Sequence, residues 1–177
     1  MIKDQTYREL KGLLDSKKVG LIAVSKRKPI EAIQALYDIG HRDFGENRVQ
    51  ELTDKAPHLP KDIRWHFIGH LQKNKVKYIA SFIYMIHGVD TIKLLNEINK
   101  QAINNGRMIN VLFQYYIADE ETKFGFSHDE VLSMLDSEEY KLLKNIVFSG
   151  VMGMATNTSD DVTVKKEFQS LRYYFHD

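Results

Sequence analysis

The stretch Val19-Gly-Leu-Ile-Ala-Val-Ser-Lys26-Arg-Lys28-Pro29 sets the architecture. Five of the six residues 19–24 are apolar, Gly20 being the exception. A run of this kind suits a strand buried on both faces, as in a parallel sheet. Lys26 and Lys28 close it, and Pro29, which has no N–H to lose, opens a helix. A lysine at the end of a buried strand stands half in a dry core. Poor solvation of its ammonium lowers its pKa and turns the amine into a nucleophile able to condense with an aldehyde. Taken alone, the stretch fits better a strand that ends in solvated charge, as many do.

Working outward, the spacing predicts a helix carrying Ile30, Ile33, Leu36 and Tyr37 on one stripe, stopped by Gly40. Upstream, Leu10, Leu13 and Leu14 predict a short leading helix. Downstream the strand–helix unit recurs. Strands are predicted at 42–45, 64–69, 82–89, 110–117 and 146–154, after the first at 19–25. Asn47 is placed to cap the helix bearing Val49 and Leu52, and Thr91 to open the one bearing Ile92, Leu95 and Ile98. Ser127-His-Asp-Glu130 matches a capping box, and residues 159–161 introduce a last helix.

Strand and helix thus alternate six times, which implies a parallel sheet with right-handed crossovers. An open doubly wound sheet and a (β/α)8 barrel both satisfy that pattern. Neither G-x-G-x-x-G nor G-x-x-x-x-G-K follows the first strand, so the usual nucleotide-binding signatures are missing. A barrel wants eight units in about 250 residues, and the six units here are too few to close one.

The bulk properties narrow the function classes. With 177 residues, 43% hydrophobic and 28% charged, the chain suits one domain with a real core. A net charge of +1 gives no electrostatic reason to expect nucleic acid or an anionic membrane. The absence of cysteine excludes disulfides and thiolate chemistry. No apolar run reaches the roughly 20 residues of a membrane span, and the N-terminus has no signal-like core. A cytoplasmic protein is expected.

In a parallel barrel, sites form at the C-terminal ends of the strands. The polar residues there are Ser25, Lys26 and Lys28; Glu46 and Asn47; His70; His87 and Asp90; Lys123; and Thr156 after Met154. Lysines outnumber paired carboxylates, which suits an aldehyde or phosphate ligand better than glycoside hydrolysis. His66 and His70 lie four apart on a strand and turn with no third ligand at a familiar spacing, so no metal is expected.

Several segments occur together and in order. They are L-I-A-V-S-K26, F44-G-E-N47-R-V-Q-E51, W65-H-F-I-G-H-L-Q72-K-N-K75, E121-T-K123-F-G125 and G150-V-M-G-M154-A. In this combination the chain resembles the pyridoxal phosphate homeostasis protein family (the YggS/PROSC type), whose fold is like the N-terminal barrel of alanine racemase. The resemblance implies an incomplete (β/α)8 barrel with about six of eight units, residues 1–177 forming one domain without the last two. It implies that Lys26 holds pyridoxal 5′-phosphate (PLP) as an internal aldimine. Lys28, Asn47, His66, Lys123 and Met154 would surround the cofactor, with Met154 against the pyridine ring. It implies a non-catalytic binder in PLP and amino-acid homeostasis, with apo PLP-dependent enzymes as recipients, monomeric at full length. The alternatives are a racemase-like PLP enzyme, or a fragment that does not retain PLP. The family's later Ser-x-Gly-Met-Ser and Arg-Ile-Gly-Thr segments are not found here, so an open barrel prone to self-association is expected. Arg27 stands where the family usually has threonine.

Overall fold

A computed structural model describes residues 4–118 and 124–177. In it strand and helix alternate as the hydrophobic pattern predicts. Strands β1 (Ala23–Val24), β2 (Asp43–Glu46), β3 (Arg64–Phe67), β4 (Met85–Val89), β5 (Ile109–Tyr115) and β6 (Ile146–Gly153) form one sheet. They lie in chain order, and every neighbouring pair is parallel. A doubly wound sheet reverses its strand order at a switch point. Among the described residues this sheet never does, so it has the winding of a (β/α)8 barrel, with six strands of an incomplete one.

The helices are α1 (Asp4–Ser16), α2 (Ile30–Asp38), α3 (Val49–Lys55), α4 (Val76–Ile79), α5 (Ile92–Asn104), α6 (His128–Asp136), α7 (Glu138–Lys141) and α8 (Asp161–His176). Parallel register sets Ala23, Phe44 and Trp65 abreast, and likewise Glu46 and Phe67. Phe44, Trp65, Phe67, Ile86, Val111 and Phe113 are buried with Ile33, Leu52, Ile79, Leu95 and Ile98 from the helices. The main core therefore lies between the sheet and the helices. The alternate residues Val24, Gly45 and His66 share the other face.

Helix ends follow the sequence signals with one exception. Gly40, at φ +100°, takes the left-handed position after α2. Thr91 Oγ1 accepts the Leu94 N–H, and Ser127 and Glu130 close a reciprocal capping box. At α3 the capping position is Arg48 rather than Asn47, and no side chain caps it. Asn47 therefore stays in the turn after β2. The short α7, started by Ser137, was not anticipated.

The strand expected over 19–25 pairs only at Ala23 and Val24. Val19 and Val24 are 48% and 49% exposed, so this run is not buried on both faces. The reason is position: among the described residues β1 is an edge strand, flanked by β2 alone. No helix among the described residues is long and apolar enough to cross a membrane.

Candidate functional site

The C-terminal ends of β1 and β2 lie side by side, so the turns that follow them face each other. Lys26, Arg27 and Lys28 from the first turn, with Asn47 and Arg48 from the second and Glu51 from the first turn of α3, line a cavity of 330 Å³. Lys26 and Lys28 are exposed and Asn47 is half-buried. Four cations thus converge on one amide and one carboxylate. That carboxylate is already engaged: Glu51 Oε1 accepts Lys55 Nζ at 2.6 Å and the Arg27 N–H. The Lys55 bond holds the Glu51 pKa below the ordinary carboxylate value.

The half-buried lysine expected from the sequence is therefore not observed; Lys26 stands at the solvent edge. Its backbone, by contrast, is tightly held. Residues 25–28 form a turn closed by the Lys28 N–H donating to the Ser25 carbonyl. Arg27 occupies the left-handed region at φ +59°, a conformation in which a non-glycine residue is strained. Beneath the turn lies a buried polar cluster. Ser25 Oγ donates to Glu46 Oε1 at 2.7 Å, and Lys55 Nζ donates to Glu46 Oε1 and to the Ser25 carbonyl, each at 2.8 Å.

The other residues expected at the site are distributed as follows. His66 is buried one layer down, in register with Val24 rather than with Lys26. It does not line the cavity that holds Lys26. Its Nε2 meets Asp43 Oδ1 at 3.1 Å and its Nδ1 meets His87 Nε2 at 2.9 Å. A single tautomer pattern satisfies both: His87 donates to His66, which donates to Asp43. Burial lowers the His66 pKa, and burial with the neighbouring His66 charge pushes His87 down to about 4. Burial opposes the Asp43 carboxylate, but the bonds from Arg64 and His66 hold its pKa below the ordinary value. Met154 follows β6, at the opposite edge of the sheet from Lys26, and is 49% exposed. Lys123 lies outside the described residues.

Two further arrangements shape this end of the sheet. Buried Gln114 donates to the Phe124 carbonyl at 2.8 Å; the Phe124 ring stacks on His70, and His70 Nδ1 meets Asp90 Oδ2 at 3.1 Å. Buried Glu167, on α8, takes both the Thr156 N–H and hydroxyl, at 2.7 and 2.6 Å, and so fixes the segment after Met154. Arg48 and Lys55 are the residues that sequence reasoning missed. Glu51 and Lys55 are spaced i, i+4 on a helix, the one signal that ties Lys55 to the recognised segment.

The residues fit a phosphorylated aldehyde such as PLP. A primary amine on a small concave surface suits the aldehyde, guanidinium and ammonium groups suit the phosphate, and the Asn47 amide suits a ring substituent.

Comparison with known proteins agrees with this chemistry. Residues 4–175 match the model of the alanine racemase N-terminal domain. The chain is 36% identical over 170 residues to the pyridoxal phosphate homeostasis protein of Vibrio alginolyticus, covering 93% of this chain and 72% of that one. Among solved structures, PipY of Synechococcus elongatus without PLP superposes with a TM-score of 0.86 at 30% identity, covering 94% of this chain and 79% of PipY. PipY with PLP bound superposes with a TM-score of 0.83, again at 30% identity, covering 95% and 79%. With its fold, its ordered motifs and these relatives in agreement, the chain belongs to the pyridoxal phosphate homeostasis protein family, built on the alanine racemase N-terminal fold.

Proposed function

We propose that this chain binds PLP through the Lys26 amine and serves intracellular PLP and amino-acid homeostasis without catalysing a reaction of its own. The observation that carries the reading is the exposed Lys26 amine in a cavity whose other cations are Arg27, Lys28 and Arg48. When bound, the cofactor supplies an aldehyde and an electron-withdrawing ring. The chain supplies the amine that takes the aldehyde and a basic rim that holds the phosphate near it. Asn47 is placed to orient a ring substituent. Met154 is assigned to the ring face and Lys123 to a nearby positive charge, both from the family motif. His66 acts from the layer below, as a buried support rather than a direct contact.

The non-catalytic part of the reading rests on what lines the cavity. Racemisation needs acid/base groups on both faces of the bound substrate. Among the described residues the acid/base groups that line the cavity are Lys26 and Lys28, both from one turn, and Glu51, which is committed to Lys55 and the Arg27 N–H. A binder that keeps an exposed, reversible attachment can hand its cofactor to apo PLP-dependent enzymes.

The test is an absorbance titration with PLP of the parent chain and of Lys26→Ala. The parent is expected to develop the band of lysine-bound cofactor, and the variant to show none. An unchanged band in the variant overturns Lys26 as the anchor. Reactivation of an apo PLP enzyme by the loaded protein tests delivery, and measurable alanine racemisation overturns the non-catalytic reading.

A further inference from the structure

We propose that Lys55 is a positioning residue for Lys26: its ammonium fixes the peptide groups on both sides of the reactive lysine. The inference deepens the reading that Lys26 holds the cofactor and rests on it.

The geometry is specific. An ammonium has three N–H donors. Those of Lys55 are matched by the Ser25 carbonyl at 2.8 Å, Glu46 Oε1 at 2.8 Å and Glu51 Oε1 at 2.6 Å. The Ser25 carbonyl belongs to the peptide group just before Lys26. Glu51 Oε1, held by Lys55, accepts the Arg27 N–H, which belongs to the peptide group just after Lys26. One buried cation from α3 thus brackets Lys26, directly on one side and through a carboxylate on the other. Ser25 Oγ, donating to Glu46, ties the same turn a third time.

Two physical arguments assign the cluster to placement rather than to bulk stability. A fully buried ion pair recovers little more than its own desolvation cost, so apolar side chains of like volume would stabilise α3 as well or better. Moreover, the strand before Lys26 is only two residues long, and its last ladder bond, from the Ser25 N–H to the Gly45 carbonyl at 2.9 Å, holds only the first residue of the turn. The left-handed Arg27 is a conformation that persists only where surroundings over-determine it, and the Glu51 contact at its N–H does so. Without the bracket, the turn has a cheaper backbone conformation available and the Lys26 amine loses its fixed origin.

The experiment uses the whole chain with Lys55→Met/Glu46→Gln, which removes the cation without leaving a buried carboxylate unpaired. Glu51→Ala is the second variant, at a position nearer the surface where folding is retained. Arg107→Met is the control: Arg107 donates to the Ala80 and Ile83 carbonyls at the far end of the strands, so its loss loosens the fold away from Lys26. Two readouts are taken: hydrogen exchange at the Arg27 amide without cofactor, and the apparent Kd for PLP from the absorbance band. The expected result is at least tenfold faster Arg27 exchange and at least tenfold weaker PLP binding in the double variant, a smaller change of the same kind in Glu51→Ala, and neither in Arg107→Met. Arg27 exchange and PLP affinity within twofold of the parent in both site variants overturn the proposal. So does equal weakening by Arg107→Met, which makes Lys55 merely structural. Lys26→Ala separates the two failures: a band that survives it overturns the anchor, and the positioning role with it.

Discussion

Gly69 lies directly against the backbone of Asn47. A Cβ at Gly69 would fall 2.5 Å from the Asn47 carbonyl oxygen and 2.9 Å from its Cα. Both neighbours are parts of the turn that follows β2, so neither can rotate away. The closeness of the third strand's end to the second turn thus depends on a missing side chain.

Gly69→Ala is expected to cost about 1–3 kcal/mol of stability, the usual range for forced overpacking. It should also weaken PLP binding, since the turn that yields carries Asn47. Gly12→Ala is the contrast. Gly12 sits mid-helix in α1 with nothing near its Cβ position, so alanine there should stabilise by about 0.5–1 kcal/mol. Denaturant unfolding of the two variants checks the sign of each.

Lys55→Met alone is expected to destabilise by about 3–5 kcal/mol, because it strands the Glu46 carboxylate, which is 0% exposed. Adding Glu46→Gln should recover much of that loss. The exposed Lys11–Asp15 pair on α1 offers the opposite case, and Lys11→Met should change stability by no more than about 0.5 kcal/mol. Urea midpoints of the three variants decide.

The His66–His87 pair makes stability depend on pH. His87 is depressed to about 4 in the folded protein, against an ordinary value of 6.5. Between those values the unfolded chain binds more protons, so stability is full above pH 6.5 and falls as pH drops toward 4. The shift corresponds to about 3 kcal/mol, and partial exposure of the ring brings the expected loss to about 1–2 kcal/mol. His66, also lowered, adds to the loss in the same direction. His87→Gln should flatten the profile of unfolding free energy between pH 6.5 and 4.

Ser127→Ala removes one half of the capping box at α6 and should cost about 1 kcal/mol, read from thermal unfolding.

Most element positions were legible in the sequence because apolar periodicity and caps report local geometry; the strand order was not, since a doubly wound sheet and a barrel share that periodicity, and it followed only from the family resemblance. Lys26 and Asn47 were legible as neighbours for the same reason: each ends a strand, and adjacent parallel strands bring their ends together. The extent of β1 was not legible, since an apolar run does not say whether a second strand covers its far edge. Asn47 was misread as a cap because asparagine favours caps and turns alike, and here the turn prevails. The pairing of His66 with His87 spans 21 residues and depends on register, and the Lys55 bracket depends on α3 folding back against β1. Neither leaves a periodic trace. The left-handed Arg27 was similarly hidden, because no glycine or asparagine marks the position.

The lengths of the strands have a dynamic consequence. β1 is two residues long, while β5 and β6 are seven and eight. Local opening is cheapest where the fewest backbone bonds must break together. Amide exchange should therefore grade from fast at the first strand to slow at the fifth, with Lys26 riding on the softest margin of the sheet. The turn that holds Lys26 can then open while the rest of the sheet stays zipped, and the side chains under the turn, rather than the ladder, set how often it does.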